Sequence, residues 1–136
     1  MSEVTSCPCG SGKFYKHCCR PFHQGENPKD ALALMRSRYS AYAMNNADYI
    51  IDTTHPDNPV ANRNRDEILQ FCQNTSFLQL TIHHFIHGQK TAYVLFTAHL
   101  EQGGQDATFT EKSRFEKVDG KWLYHTAQVT PTQVTS

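Results

Sequence analysis

The spacing of apolar residues changes once along the chain, from a helical period to a period of two. In residues 31 to about 44, apolar side chains recur three or four positions apart, which predicts an amphipathic helix with one face on a core. The Asn27-Pro28 pair before it is typical of a helix start, with the asparagine as cap. Shorter helices are predicted at residues 47–52 and 65–73, on either side of a proline-containing turn at 55–59.

After residue 77 the side chains alternate in character, as expected of strands with one buried face. On the first strand one face is expected to carry Leu78, Leu80, Ile82, His84 and Ile86. Three more strands are predicted at residues 92–100, 108–118 and 122–127. Asp119-Gly120, between the last two, is a strong signal for a two-residue hairpin turn.

Helices followed by antiparallel strands define an α+β fold, in which a curved sheet wraps around the long helix. The chain has 136 residues, enough for one such domain and a small addition. We expect an N-terminal segment at residues 1–25, an α+β domain at 26–130 and a frayed polar tail at 131–136. Residues 20–28, with two prolines and a glycine, are predicted to be a linker. The α+β domain is expected to fold without residues 1–25.

Four of the five cysteines lie close together near the N-terminus, with the spacing C-x-C-x8-C-C. They are Cys7, Cys9, Cys18 and Cys19. Two thiol pairs around a glycine-rich turn are what a closed tetrahedral zinc site requires. A disulfide framework is the alternative, but the total is odd and adjacent cysteines cannot easily bridge each other. The first residues also lack a signal-peptide pattern, so we expect a cytoplasmic, reducing setting in which clustered cysteines more often bind metal. His17 and His23 are alternatives for the fourth ligand and are otherwise expected to be solvent-exposed.

The stretch CPCGSGKFYKHCC at residues 7–19 resembles the SEC-C motif, the zinc-binding module found at the C-terminus of the SecA translocation ATPase and in many bacterial proteins. The resemblance implies that the zinc ligands are Cys7, Cys9, Cys18 and Cys19. Many SEC-C motifs end in Cys-His, so the Cys-Cys ending is a variant of the pattern.

Segments beyond the cysteines resemble the YchJ-like bacterial family, which joins a SEC-C motif to a domain similar to nuclear transport factor 2 and ketosteroid isomerase. The segments are ALMRSRYSAY at 33–42, THP at 54–56, EKSRF at 111–115 and GKWLY at 120–124. The resemblance implies a conical α+β domain whose mouth can hold a small molecule. It carries no activity over to individual residues.

Charge and hydropathy exclude two classes of partner. Thirteen basic residues balance thirteen acidic ones, which argues against nucleic acid because no global positive field exists. The local basic excess around the cysteines would be offset by four thiolates on one dication, which weakens a phosphate-binding interpretation. No apolar run approaches the roughly 18 residues of a membrane span.

The third predicted strand carries a carboxyl group, that of Glu111, on a face with aromatic side chains. Glu111 and Ser113 share a face with two phenylalanines, and a carboxyl group in such surroundings can have a raised pKa and act as a general base. We expect instead that Glu111 forms a structural ion pair with an arginine. The candidate arginines are Arg36, Arg38 and Arg114.

Other polar and aromatic residues are candidates for the cone, although such residues more often fill a core or form structural hydrogen bonds. The full set of possible pocket or ligand-binding residues is Arg36, Arg38, Tyr39, Tyr42, His55, His99, Glu111, Arg114 and Trp122.

Two functions from different classes follow. The favoured prediction is a non-enzymatic zinc-binding adaptor. In it the N-terminal cysteine segment, residues 1–25, presents Lys13, Phe14, Tyr15 and Lys16 to a protein partner. The alternative is a small-molecule enzyme, of the isomerase or dehydratase type, or a ligand-binding protein that uses the cone. A water-accessible cavity with an unpaired Glu111 would favour the alternative, and a filled cone would favour the adaptor.

Overall fold

The computed structural model describes residues 5–58 and 64–130, the last three of them by backbone alone. The predicted tail at 131–136 and the end of the turn at 55–59 lie outside the described residues. The described elements confirm the α+β fold, with helices first and antiparallel strands after them. A 3-10 helix covers Tyr15–His17, and the longer elements are α1 (Arg20–His23), α2 (Ala31–Ala43), α3 (Ala47–Asp52), α4 (Arg65–Gln73), β1 (Thr75–Ile86), β2 (Thr91–Gln102), β3 (Gln105–Asp106), β4 (Phe109–Val118) and β5 (Lys121–Thr130).

The long helix α2 begins at the predicted residue 31, but its cap lies three residues after the predicted one. Asp30, not Asn27, is the N-cap, because its side chain accepts a hydrogen bond of 2.8 Å from the backbone N–H of Ala33. At the other end Asn45 adopts a left-handed conformation with φ of 61°, which stops the helix where the sequence predicted. The predicted linker is also partly wrong, since its first residues form α1.

The strands form one antiparallel sheet in the order β1-β2-β4-β5, with short β3 paired to β2. The hairpin between β4 and β5 is confirmed: Asp119 and Gly120 both have positive φ, 51° and 82°, as a type I′ turn requires. The register brings Ser113 of β4 opposite Val94 of β2, and Glu111 opposite Phe96.

Two β-bulges in β1 overturn the predicted alternation. The register shifts between Phe77 and Gln79 and again between Ile82 and His84. Each bulge adds one residue and reverses which face the following side chains point to. As a result Leu78 and Ile86, predicted to be buried, are 62% and 44% exposed. The side chains of β1 that pack on the core are Phe77, Leu80, Ile82 and Phe85.

The main core lies between α2 and one face of the sheet. Leu34 and Tyr39 of α2 pack in one cluster with Val94 and Phe115 of the sheet. Burying each side chain of this size contributes about 1.5–3 kcal/mol. A second cluster joins α3 and α4 to the end of α2.

Buried positions surround α2 instead of forming the single stripe that the sequence predicted. Ser37 and Ser40 are fully buried, as is Leu34. A helix that is covered on all sides needs a partner on each side. The sheet covers one side of α2, and the cysteine segment covers another.

Candidate metal centre and cone pocket

The four cysteines converge because the chain between them turns back on itself. The backbone N–H of Cys7 donates to the carbonyl of Lys13 at 2.9 Å, and that of Gly10 to the carbonyl of Cys7 at 3.1 Å. Gly10 has a φ of 78°, which L side chains rarely adopt. The 3-10 helix then brings Cys18 and Cys19 to the first two cysteines. All four sulfurs lie within 4.8 Å of one another, and none is in a disulfide.

The pKa shifts of the cysteine thiols indicate that the cluster is suited to a cation. Hydrogen bonds from the thiols of Cys19 and Cys7 lower the pKa of Cys9 far below its ordinary value. Burial raises the pKa of Cys18 to about 11. The pKa of Cys19 is raised because its thiol donates to Cys7 and Cys9, and burial adds to the effect. Without a cation the cluster therefore favours charge on Cys9 and opposes it on Cys18 and Cys19. A divalent ion would remove that opposition.

The donor set fits a structural metal of the zinc type. Four cysteine sulfurs suit a borderline-soft tetrahedral ion, and no carboxylate among the described residues joins the cluster. Three of the four cysteines are buried, as is usual for a closed site.

The two alternative ligands are not placed to bind. His17 is exposed and belongs to the 3-10 helix. His23 is half-buried, so the prediction that it is solvent-exposed is wrong. Its Nε2–H donates to the carbonyl of Ser37 at 2.8 Å, and its Nδ1 accepts from the hydroxyl of Tyr15 at 2.7 Å. Burial lowers the pKa of His23, and both ring nitrogens are already engaged.

The α2 helix also makes three contacts with the cysteines themselves. Ser40 Oγ lies 3.2 Å from Cys7 Sγ. The guanidinium of Arg36 donates to the carbonyl of Cys9 at 2.9 Å and lies 3.9 Å from its sulfur. Arg36 was a candidate for the cone; instead it lies at the cysteines, because its position on α2 faces away from the sheet.

On the sheet side of α2 the cone holds a cavity of about 170 Å³. Its walls are mainly aromatic and aliphatic, and its polar groups come from α2, β4 and β5. The lining consists of Met35, Arg38, Tyr39, Tyr42, Phe71, Phe77, Phe96, Ala98, Leu100, Phe109, Glu111, Ser113 and Tyr124. Arg38, Tyr39, Tyr42 and Glu111 are thus placed in the cone as the sequence suggested.

Glu111 does not form the ion pair that the sequence predicted. Among the described residues no arginine or lysine nitrogen lies within 4.0 Å of it. Its Oε2 accepts hydrogen bonds from the hydroxyls of Ser113 at 2.5 Å and Tyr124 at 3.3 Å. Burial raises the pKa of Glu111, although these hydrogen bonds and the charge of Arg38 act in the opposite direction.

Arg38 is anchored to the end of α3 rather than to Glu111. Its Nη1 donates to the carbonyl of Ile50 at 3.1 Å and to the hydroxyls of Thr53 and Thr54 at 2.7 and 3.2 Å. Its Cζ lies 4.6 Å from the ring centroid of Tyr124, a cation–π distance. The Arg38 side chain therefore holds α3 against the cone.

Besides Arg36 and His55, three predicted cone residues lie outside the lining of the cavity. His99 shares a hydrogen bond of 3.0 Å with Thr81. Arg114 pairs with Glu116 at 2.7 Å. Trp122 is buried in the core, and the ammonium of Lys117 lies 5.8 Å from its ring.

His55 lies in a separate cluster with Glu116 and His125. Their ligand atoms are within 4.8 Å of one another, and His55 Nε2 lies 3.6 Å from the Glu116 carboxylate. A metal-binding histidine normally donates from its other ring nitrogen. Here that nitrogen accepts the backbone N–H of Asp57 at 2.9 Å and does not donate. The cluster therefore lacks the arrangement that a metal-binding histidine normally has.

The cone also has residues that sequence reasoning missed. Phe71 comes from α4, and Phe77 from the segment before the first bulge; their rings lie 6.1 Å apart at the cavity. Ser113 was placed on the correct face but not recognised as a hydrogen-bond partner of Glu111. Its position two residues after Glu111 on the same strand is the signal that pointed to it.

Comparison with known proteins agrees with this geometry. A sequence model of the SEC-C motif matches residues 5–21, and a model described as YchJ, middle NTF2-like domain, matches residues 30–127. The fold and cysteine segment therefore define a SEC-C protein with an NTF2-like domain. Because the second match spans more than half of the chain, the chain belongs to the YchJ family.

Individual relatives cover nearly the whole chain. A UPF0225 protein of Deinococcus radiodurans is 42% identical over 120 residues, which are 87% of this chain and 85% of the relative. The solution structure of a SEC-C motif containing protein from Rhodopseudomonas palustris is 32% identical, covers 93% of this chain and 100% of its own, and superposes with a TM-score of 0.82. A crystal structure of a SEC-C motif containing protein from Psychrobacter arcticus, 23% identical over 95% of this chain and 85% of its own, has a TM-score of 0.79 and supports the fold. Among the described residues no helix is long and apolar enough to cross a membrane.

Proposed function

We propose that this protein binds a small molecule in the cone, and that a structural zinc ion in the four-cysteine site holds the cysteine segment against α2. The observation that carries the proposal is Glu111: a carboxyl group in an aromatic cavity, hydrogen-bonded to hydroxyl groups and without an arginine or lysine partner among the described residues. A structural carboxylate at such a depth is normally paired with a cation. This arrangement favours the ligand-binding alternative over the adaptor that the sequence favoured.

The size of the cavity limits the ligand. A cavity of about 150 Å³ lined by apolar side chains holds benzene, while sites for drug-sized molecules are about 300–1,000 Å³. At about 170 Å³, the cone suits a molecule with a single ring.

A fragment screen by protein-observed NMR on the full, zinc-loaded chain tests the binding site. We expect ring-sized fragments to perturb amides of residues that line the cavity, such as Phe109 and Ser113. Ala98→Leu should weaken this binding because Ala98 lines the cavity and the added atoms occupy it. Ala33→Leu is the matched control, since Ala33 lies on α2 outside the lining. Fragments that bind both variants equally, or that perturb only residues outside the cavity, would contradict the proposal.

The zinc assignment has its own test. We expect one zinc ion per chain in native mass spectrometry and almost none in Cys9→Ser, because Cys9 is fully buried in the cluster and the site loses a thiolate. Cys72→Ser is the control, since Cys72 is also buried but lies in the core between α3 and α4. Purified wild-type protein with disulfides in place of metal would overturn the assignment.

An adaptor role remains as a second candidate because of one observation. Phe14, on the surface of the cysteine segment, is 48% exposed, and the neighbouring Lys13 and Lys16 are exposed as well. An exposed aromatic ring between two cations is a typical anchor for a protein partner. A partner that is captured by the wild-type chain and by Met44→Ser, but not by Phe14→Ser, would support this role; capture that ignores Phe14 would count against it.

A further inference from the structure

The two charged side chains of the cone differ in how much of their charge is already satisfied. Arg38 donates to three oxygens at the end of α3, and its face rests on the ring of Tyr124. Only 7% of Arg38 is exposed. The N–H groups of Nη1 are therefore already committed to the protein.

The protein stabilises the charge of Glu111 less than that of Arg38. It accepts from two neutral hydroxyls, both on the same oxygen, Oε2. Neutral donors stabilise a carboxylate less than a cation does. The upward shift of the pKa of Glu111, caused first by burial, has the same origin, since the pocket gives this carboxylate too little stabilisation.

The walls add to the preference for positive charge. Seven aromatic rings line the cavity, and the face of each ring carries partial negative charge. Cations are attracted to such faces at distances up to about 6 Å. These rings also accept the apolar body of a ligand by burial of its surface.

We infer that the cone selects a small cyclic amine, with its ammonium group at Glu111 and its ring between the aromatic walls. This inference rests on the proposed function, because it names the ligand class of the same cavity. A primary or secondary ammonium would supply Glu111 with the charge-assisted hydrogen bond that the protein does not. An anionic ligand would have to bind at Arg38, whose Nη1 is already occupied by three oxygens, and it would meet the carboxyl group of Glu111 in the same cavity.

Three probes of one shape and different charge test the inference. Benzylamine, benzyl alcohol and benzoate are titrated separately into the full, zinc-loaded chain near neutral pH, and dissociation constants are read from the shifts of amides that line the cavity. We expect benzylamine to bind about tenfold more tightly than benzyl alcohol, because its hydrogen bond to the carboxylate is charge-assisted. Benzoate is expected to bind most weakly.

Two variants locate the selectivity. Glu111→Gln should reduce the advantage of benzylamine over benzyl alcohol to about one while benzyl alcohol still binds. Glu116→Gln is the matched control: the same substitution on the same strand, at a glutamate that faces Arg114 and not the cavity. The Glu116→Gln variant should still bind benzylamine more tightly than benzyl alcohol. The wild-type comparison of the three probes needs no variant, so it decides the question even if Glu111→Gln folds poorly.

The outcomes separate the inference from the proposed function. If benzoate binds as tightly as benzylamine or more tightly, the amine inference is wrong and the cone still binds ligands. If the advantage of benzylamine survives Glu111→Gln, the ammonium is not at Glu111 and the inference is wrong in the same way. If none of the three probes perturbs the lining, the proposed function fails and the inference fails with it.

Discussion

The cysteine segment and the cone lie on opposite sides of one helix and are stabilised by different physics. On one side of α2, Ser40 and Arg36 contact the cysteines, whose small cluster contains almost no aliphatic surface. On the other side Leu34 and Tyr39 belong to an apolar core of twelve buried residues. A segment of this size cannot bury enough surface to fold alone, so it needs a metal or a neighbour. The cone can fold by burial of its apolar side chains.

This difference shows where each region is vulnerable. The cysteine segment depends on four side chains and on contacts to a helix that it does not contain. The cone distributes its stability over many side chains, and several of its polar groups line a cavity. Two experiments test whether the two regions are coupled through α2 in the way their contacts indicate, and a third tests the charge state of the cone by itself.

Deleting residues 1–25 is expected to have the largest effect. The deletion removes His23 from the carbonyl of Ser37 and from the ring of Tyr49, 4.8 Å away, and it exposes the buried Ser40. We expect the α+β domain to lose about 2–4 kcal/mol of unfolding free energy, in contrast to the independence expected from sequence. Urea denaturation of the two chains measures it. An unchanged midpoint and slope would show that the cone does not need the segment.

Removing one hydroxyl on α2 should have a medium effect on the metal centre. Ser40→Ala deletes the hydroxyl that lies 3.2 Å from Cys7 Sγ, and loss of such an outer contact typically weakens metal binding by about tenfold or more. Competition with a chromophoric chelator measures the affinity for zinc. Ser37→Ala is the control, because Ser37 is equally buried on the same helix but bonds to Tyr49 instead of a cysteine. Equal affinities for zinc in both variants would mean that α2 does not tune the site.

The smallest effect is expected in the pH dependence of the cone. Burial raises the pKa of Glu111 in the folded chain above the ordinary value of 4.5. The folded state therefore binds this proton more tightly, so the contribution to stability is fully present below the unfolded pKa and is lost as pH rises through the folded pKa. Glu111→Gln has no such titration. The unfolding free energy of the wild type minus that of Glu111→Gln should thus fall as pH rises from about 4 through the folded pKa.

Chemical denaturation of both zinc-loaded chains across this pH range gives the difference directly, and the titrations that the chains share cancel. Glu116→Gln serves as control, because Glu116 pairs with Arg114 outside the cavity. A difference that rises with pH would mean that Glu111 is stabilised as a carboxylate in the fold, as an ion-paired group would be.

Sequence reasoning succeeded where the deciding interactions are local. The spacing of the cysteines brought all four sulfurs together because the turn that joins them is only a few residues long. Asp119 and Gly120 formed the predicted hairpin because the turn requires positive φ at both positions. The strand parity that placed Glu111 beside Ser113 held because β4 is regular over that stretch.

The failures that matter most for the two sites are cases in which distant parts of the chain decide. Arg36 and Arg38 are two residues apart, yet one reaches the cysteines and the other the end of α3. They differ in their contacts only because α2 packs between the cysteine segment and the cone. Leu78 turned outward because of a bulge in β1 that its alternating sequence does not reveal.

The sequence by itself therefore determined the α+β fold, the cluster of four cysteines and the turn between β4 and β5, since hydrophobic period, turn chemistry and ligand spacing act over a few residues. Tertiary structure decided that Glu111 bonds to hydroxyls instead of an arginine and that His55 lies beside Glu116. It also decided that the cysteine segment rests on the helix that lines the cone. The physical reason is that the charge and burial of a side chain depend on what packs against it from remote segments, and the register of that packing is set by the whole core.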